Sequence, residues 1–166
     1  MNFKEALSKL EKSSAFKDFK KKNPSAYLCA GFFIKDYESG SDVSQIDFQS
    51  DKDIATFIID RDVSVKTEKP MKPEKIPELK ANIKVDLDDV EKLIKKEAEK
   101  LKISQNVKKI IAILQMHENR VIWNITNILE TFIVLTMQID AIDGGILKSE
   151  KSSLFDFFKK PADYVG

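Results

Sequence analysis

The chain has 166 residues, enough for one ordinary domain or two small ones, and 42% of them are hydrophobic, so a real core can form and wholesale disorder is excluded. Lys+Arg number 28 against 27 Asp+Glu, a balance that argues against a nucleic-acid grip and against polybasic membrane anchoring. One cysteine, Cys29, excludes an internal disulfide.

Phe3, Leu7 and Leu10 share one stripe with Lys4, Glu5, Lys9 and Glu11 off it, which predicts an amphipathic helix. Ser13 or Ser14 caps a second helix carrying Ala15, Phe16 and Phe19, closed by Lys20–Lys22 and stopped at Asn23-Pro24. The Ala26–Tyr37 segment reads as a strand with Leu28, Ala30, Phe32 and Ile34 on one face. Turns at 37–42 and 50–53 separate it from strands at Val43–Gln49 and Ile54–Asp60, and Val63–Thr67 extends the sheet. Pro70, Pro73 and Pro77 then favour an extended, hydrated linker over 68–80.

The second half opens with a helix capped by Asp86, with Asp89 three residues on and Leu87, Val90, Ile94, Ala98 and Leu101 as its buried stripe. Lys108–Met116 alternates, His117-Glu118-Asn119 is a hairpin turn, and Val121, Trp123 and Ile125 alternate in the next strand. Thr131–Ala141 puts Ile133, Leu135, Met137 and Ile139 on one face, Asp143-Gly144-Gly145 supplies a tight turn, and Ile146–Lys148 returns as a short strand. Ser153–Lys160 ends the chain as a short apolar helix or turn. The N-terminus has no signal-peptide hydrophobic region, and the longest apolar-rich run, Thr131–Ile142, is too short to span a membrane, so the expected compartment is the cytoplasm.

Both halves read helix, strand, turn, strand, strand, turn, and a slide of about 80 residues aligns their apolar registers, Leu7 on Leu87 and Ile34 on Leu114. An internal duplication is expected, with halves at 1–67 and 81–166. Their two sheets either pack on each other or align edge to edge into one larger sheet.

The helix at Leu87–Leu101, the strand Ile110–Met116, the segment Val121-Ile122-Trp123-Asn124-Ile125 and the ending Met137-Gln138-Ile139-Asp140-Ala141-Ile142-Asp143-Gly144-Gly145-Ile146-Leu147 resemble the PepSY domain, a peptidase-propeptide-type module. The resemblance implies an α+β fold of two cystatin-like halves, each a helix packed on an antiparallel three- to four-stranded sheet. It also implies action by binding, with a peptidase or processing enzyme as partner, and it carries over no catalytic residue.

Candidate chemistry is sparse. Cys29 sits in an apolar strand with His117, the one histidine, in a turn of the other half, so neither a nucleophile–base pair nor a metal site is expected. Asp140 and Asp143-Gly144 lack the alternating ligands and closing Glu of a calcium loop. No cofactor and no enzymatic activity are expected. Leu154, Phe155, Phe157 and Phe158 are the candidate docking patch for a protein or peptide partner or for a second copy; Trp123, Phe132 and Met137 are the candidate lining of an apolar-ligand site between the two sheets.

Overall fold

The structure, a computed structural model, describes residues 1–71, 74–80 and 82–159, the side chains of Phe157, Phe158 and Lys159 excepted. Two helices come first, α1 (Phe3–Lys12) and α2 (Ser14–Lys22). Asn2 caps α1 reciprocally: its side-chain oxygen accepts the Glu5 N–H at 3.0 Å, and the Glu5 carboxylate accepts the Asn2 N–H at 2.9 Å. Ser13 ends α1 and starts α2, its hydroxyl accepting the Phe16 N–H at 3.2 Å. That cap directs Phe16 and Phe19 onto Phe48 and Phe57, with ring centroids 5.1–6.2 Å apart across the two helical and two strand rings.

The strands are β1 (Tyr27–Asp36), β2 (Val43–Gln49), β3 (Ile54–Ile59) and β4 (Val63–Glu68); then helix α3 (Leu87–Lys100); then β5 (Val107–His117), β6 (Arg120–Leu129), β7 (Ile133–Asp140) and β8 (Ile146–Ser153), with a short α4 (Leu154–Lys159). They form one eight-stranded sheet in the order β4-β3-β2-β1-β5-β6-β7-β8, every pair antiparallel. The fold is thus α+β on a single antiparallel sheet. Of the two arrangements open to the sequence, the sheet continues edge to edge through β1 and β5, with Phe33 opposite Ala112. The physical reason is that both strands are apolar on both faces, and either one left as an edge would template aggregation. The β5–β6 hairpin turns on Glu118 and Asn119, both at positive φ (48° and 63°), the primed geometry that matches strand twist.

The helices cover one face. There Phe33, Ile46, Phe57, Ala112, Leu114, Trp123, Met137 and Ile139 join Phe3, Leu10, Val90 and Ile94 in one core. The face expected for β1 is corrected. A bulge between Leu28 and Ala30 shifts the register, so Leu28, Gly31 and Phe33 face the helices, and Ala30, Phe32 and Ile34 face the opposite, half-buried side. Gly31 matters for this packing, because a Cβ there would lie 3.0 Å from the Phe33 ring and 3.5 Å from the Phe3 ring of α1.

The linker is hydrated only in part. Its later stretch is docked: the Tyr27 hydroxyl donates to the Ile76 carbonyl at 2.7 Å, the Leu79 N–H to the Leu28 carbonyl at 2.8 Å, and Leu79 and Ile83 are buried. Further on, the N–H groups of Lys84 and Val85 donate to the Ala141 carbonyl at 2.9 Å, and the Trp123 indole N–H donates to the Val85 carbonyl at 2.8 Å. Two leucine- and isoleucine-sized anchors are enough to pull an otherwise polar segment onto the core, since each is worth about 1.5–3 kcal/mol when buried.

The connection ends at Asp86, which ties the halves together. Its carboxylate, 5% exposed, accepts N–H groups from Leu87 of α3 at 2.7 Å and from Phe3 and Lys4 of α1 at 2.8 and 3.1 Å. The Asn2 amide adds a bond to the Asp88 carboxylate at 3.0 Å. One anion therefore serves the positive ends of two helices from different halves. Asp86→Ala is expected to lower stability by about 2–4 kcal/mol in urea denaturation, because it strands buried donors on both helices, with Asp86→Asn losing less.

Candidate functional site

Because α1 and α3 meet at their N-termini, a stretch of sheet between them is left open. It forms a cleft of about 340 Å³ with walls from both halves. The floor is Phe33, Ile110 and Ala112 at the β1–β5 junction, with Ser44 of β2 beside it; α3 contributes Leu87, Val90 and Glu91, and α1 contributes Lys9. The turn after β3 closes one end with Asp60 and Arg61.

Ser44 lies opposite Phe33 in the sheet and so shares its helix-facing side. It is 8% exposed, and among the described residues its hydroxyl has no hydrogen-bond partner. It lines the cleft, where water can reach it, beside Phe33 and Val43.

Charges are confined to the rim. Lys35 bridges to Glu91 at 2.7 Å, the Tyr37 hydroxyl donates to the same carboxylate at 3.3 Å, and the ammonium lies 5.6 Å from the Tyr37 ring centroid. The Glu91 hydrogen bond raises the Lys35 pKa above its ordinary value. Lys9 donates to the Asp60 carbonyl, Asp42 accepts the Asp36 N–H at 3.1 Å, and Asp88 accepts from Asn2. The Arg61 guanidinium is exposed. The cleft thus combines an apolar floor with a mixed-charge rim, and the groups described form no nucleophile–base–orienter constellation.

The structure separates the sites expected from sequence. Trp123 is fully buried with its N–H satisfied, and Met137 is buried in the same core. Phe132 is 69% exposed in the turn before β7. The expected site between two sheets is therefore corrected: one continuous sheet has no inter-sheet space, and Phe132 points away from the core the other two share. In the tail, Leu154 is half-buried and its N–H donates to the Phe132 carbonyl, while Phe155 is 71% exposed. Phe157 and Phe158 belong to α4, and their side chains lie outside the described residues.

The remaining candidates are engaged locally. Burial, with the Asp47 charge second, pushes the Cys29 thiol up to about 12, and its S–H donates to the Asp47 carbonyl at 3.3 Å. Asp140 accepts the N–H groups of Ile142 and Asp143 at 2.8 and 3.1 Å, and Asp143 accepts that of Gly145 at 2.7 Å, so both carboxylates shape their turn. The Lys20 ammonium is held by the Ala26 carbonyl at 2.7 Å. Among the described residues no group of three His, Cys, Asp or Glu side chains is placed to hold a metal, and no helix is long and apolar enough to cross a membrane.

No family model matches the chain, and no curated protein matches it. A solved structure does: a candidate lipoprotein from Clostridium difficile 630, 20% identical, with 83% of this chain and 90% of that one covered at a TM-score of 0.61. At that identity the likeness establishes a shared fold.

Phe132 has φ +58°, a region costly for an aromatic residue. Phe132→Gly is expected to raise stability by about 1 kcal/mol, read as a higher urea midpoint at unchanged slope; a lower midpoint would mean that the ring contributes more in place than its backbone costs.

Proposed function

We propose that this protein is a non-catalytic binding module whose ligand is a small apolar molecule seated in the cleft between α1 and α3. The observation that carries the reading is the cleft itself, about 340 Å³, with an apolar floor at the junction of the halves and Ser44 on its lining. That volume lies at the small end of the range for ligand pockets, roughly 300–1,000 Å³.

The same proposal includes the origin of the site. Each half is read as a cystatin-like, PepSY-type unit, and the whole as a tandem duplication. In support, both halves run from a capped helix into four consecutive antiparallel strands, and the sheet order is symmetric about β1–β5. A cleft on such a junction draws walls from both copies. Peptide capture by strand addition, which the PepSY resemblance also suggests, has less support. The two edges are β4, with Lys66 and Glu68 exposed, and β8, with Lys148 and Lys151 exposed, and charged edges resist pairing.

Titration with the uncharged dye N-phenyl-1-naphthylamine tests the reading. The wild-type protein is expected to enhance its fluorescence saturably. Leu87→Trp, a half-buried position on the cleft wall, should weaken binding about tenfold while leaving the urea midpoint close to wild type. Equal enhancement by both proteins would remove the cleft as the site.

A second reading is favoured by one corner of the molecule. Phe132 and Phe155 are both largely exposed beside the Leu154–Phe132 backbone bond, which gives a patch for a second copy of the chain. Sedimentation equilibrium would then give a dimer for wild type and a monomer for Phe155→Asp; a wild-type monomer across the micromolar range ends this reading.

A further inference from the structure

We infer that the ligand of the cleft is an uncharged apolar molecule carrying one hydrogen-bonding oxygen, a hydroxyl or a carbonyl, which pairs with Ser44. The inference rests on the cleft reading and adds the chemical class of the occupant.

The first argument is the hydroxyl. Ser44 is more than nine-tenths buried, faces the cleft and has no partner among the described residues. A hydroxyl on the wall of an open cleft pairs with water, and a ligand oxygen replaces that bond when the water is displaced. A pure hydrocarbon leaves that bond unreplaced.

The second argument is charge. The rim holds Asp42, Asp60, Asp88 and Glu91 against Lys9, Lys35 and Arg61, so it is close to neutral. Glu91 is satisfied by Lys35 and Tyr37, Asp88 by Asn2, and Asp42 by the Asp36 N–H. A carboxylate carried onto the apolar floor meets no surplus cation, an ammonium meets a surplus of one acid at most, and either loses its water. Charged ligands are therefore selected against, and the ion pairs of the rim enclose a neutral one. The floor beneath is Phe33, Ile110 and Ala112, and the cleft of about 340 Å³ takes a ligand of small size.

Displacement of N-phenyl-1-naphthylamine by four compounds of one shape decides the matter: naphthalene, 1-naphthol, 1-naphthoate and 1-naphthylmethylammonium. On wild type, 1-naphthol is expected to bind about five- to tenfold tighter than naphthalene and tighter than either ion. Ser44→Ala should bring 1-naphthol down to the level of naphthalene and leave naphthalene unchanged, a contrast that an unfolded variant cannot produce. The inference is overturned if either ion binds best, or if the preference for 1-naphthol survives in Ser44→Ala. In both of those cases the dye still binds and the cleft reading stands. If neither the dye nor any of the four binds wild type, the cleft reading falls and this inference falls with it.

Discussion

Two helices from opposite halves of the chain end on the same buried carboxylate, and the placement of everything between them follows from that meeting. An isolated helix N-terminus satisfies its orphan N–H groups with water or a cap of its own. Here Asp86, the N-cap of α3, also accepts from Phe3 and Lys4, so the start of α1, capped in its own right by Asn2 and Glu5, is tied to the start of α3. The geometry pins the helices together at one end. Away from that point nothing obliges them to touch, and a cleft lies between them, lined in part by Phe33, Ile110 and Ala112. The cleft is the remainder of a constraint set elsewhere.

The sheet supplies the second constraint. Joining β1 to β5 removes the two most apolar strands from the list of possible edges and leaves β4 and β8, whose Lys, Glu and Ser side chains suit water. It also places the seam of the two halves directly beneath the opening between the helices. Cleft and structural seam therefore coincide, and Phe33 and Ala112, which face each other across the seam, also line the cleft.

Much of the fold could be read from the chain. The cap at Asp86, the turn at Glu118-Asn119 and the alternation in β5 and β6 are local signals, and local signals survive folding. What could not be read was non-local. Nothing near Asp86 says that it also caps a helix 83 residues away. The bulge at Cys29 turned Leu28, Ala30, Phe32 and Ile34 from one face into two, because a period-two pattern has no marker for an extra residue. Phe132 was counted as strand, yet it takes a positive φ that aromatic residues rarely adopt. Trp123 has the chemistry of a ligand contact, but its ring fills the core and its N–H is spent on Val85. The cleft was invisible for the same reason: Ser44 is an ordinary serine in an ordinary strand until Phe33, Lys9 and Glu91 arrive from three other elements.

The seam also carries an entropic cost. Within each half, successive strands pair across short turns, which closes small loops quickly; β1 and β5 are separated by about 80 residues, and bringing them together carries the larger loop entropy. Loop entropy therefore favours pairing within each run of four strands over the closure of β1 on β5. Without that closure, each run exposes an inner strand with open backbone groups and isoleucine or phenylalanine on both sides. Strand pairing across the seam therefore protects the chain as well as shaping it: the two strands with most to lose as edges are each other's partners.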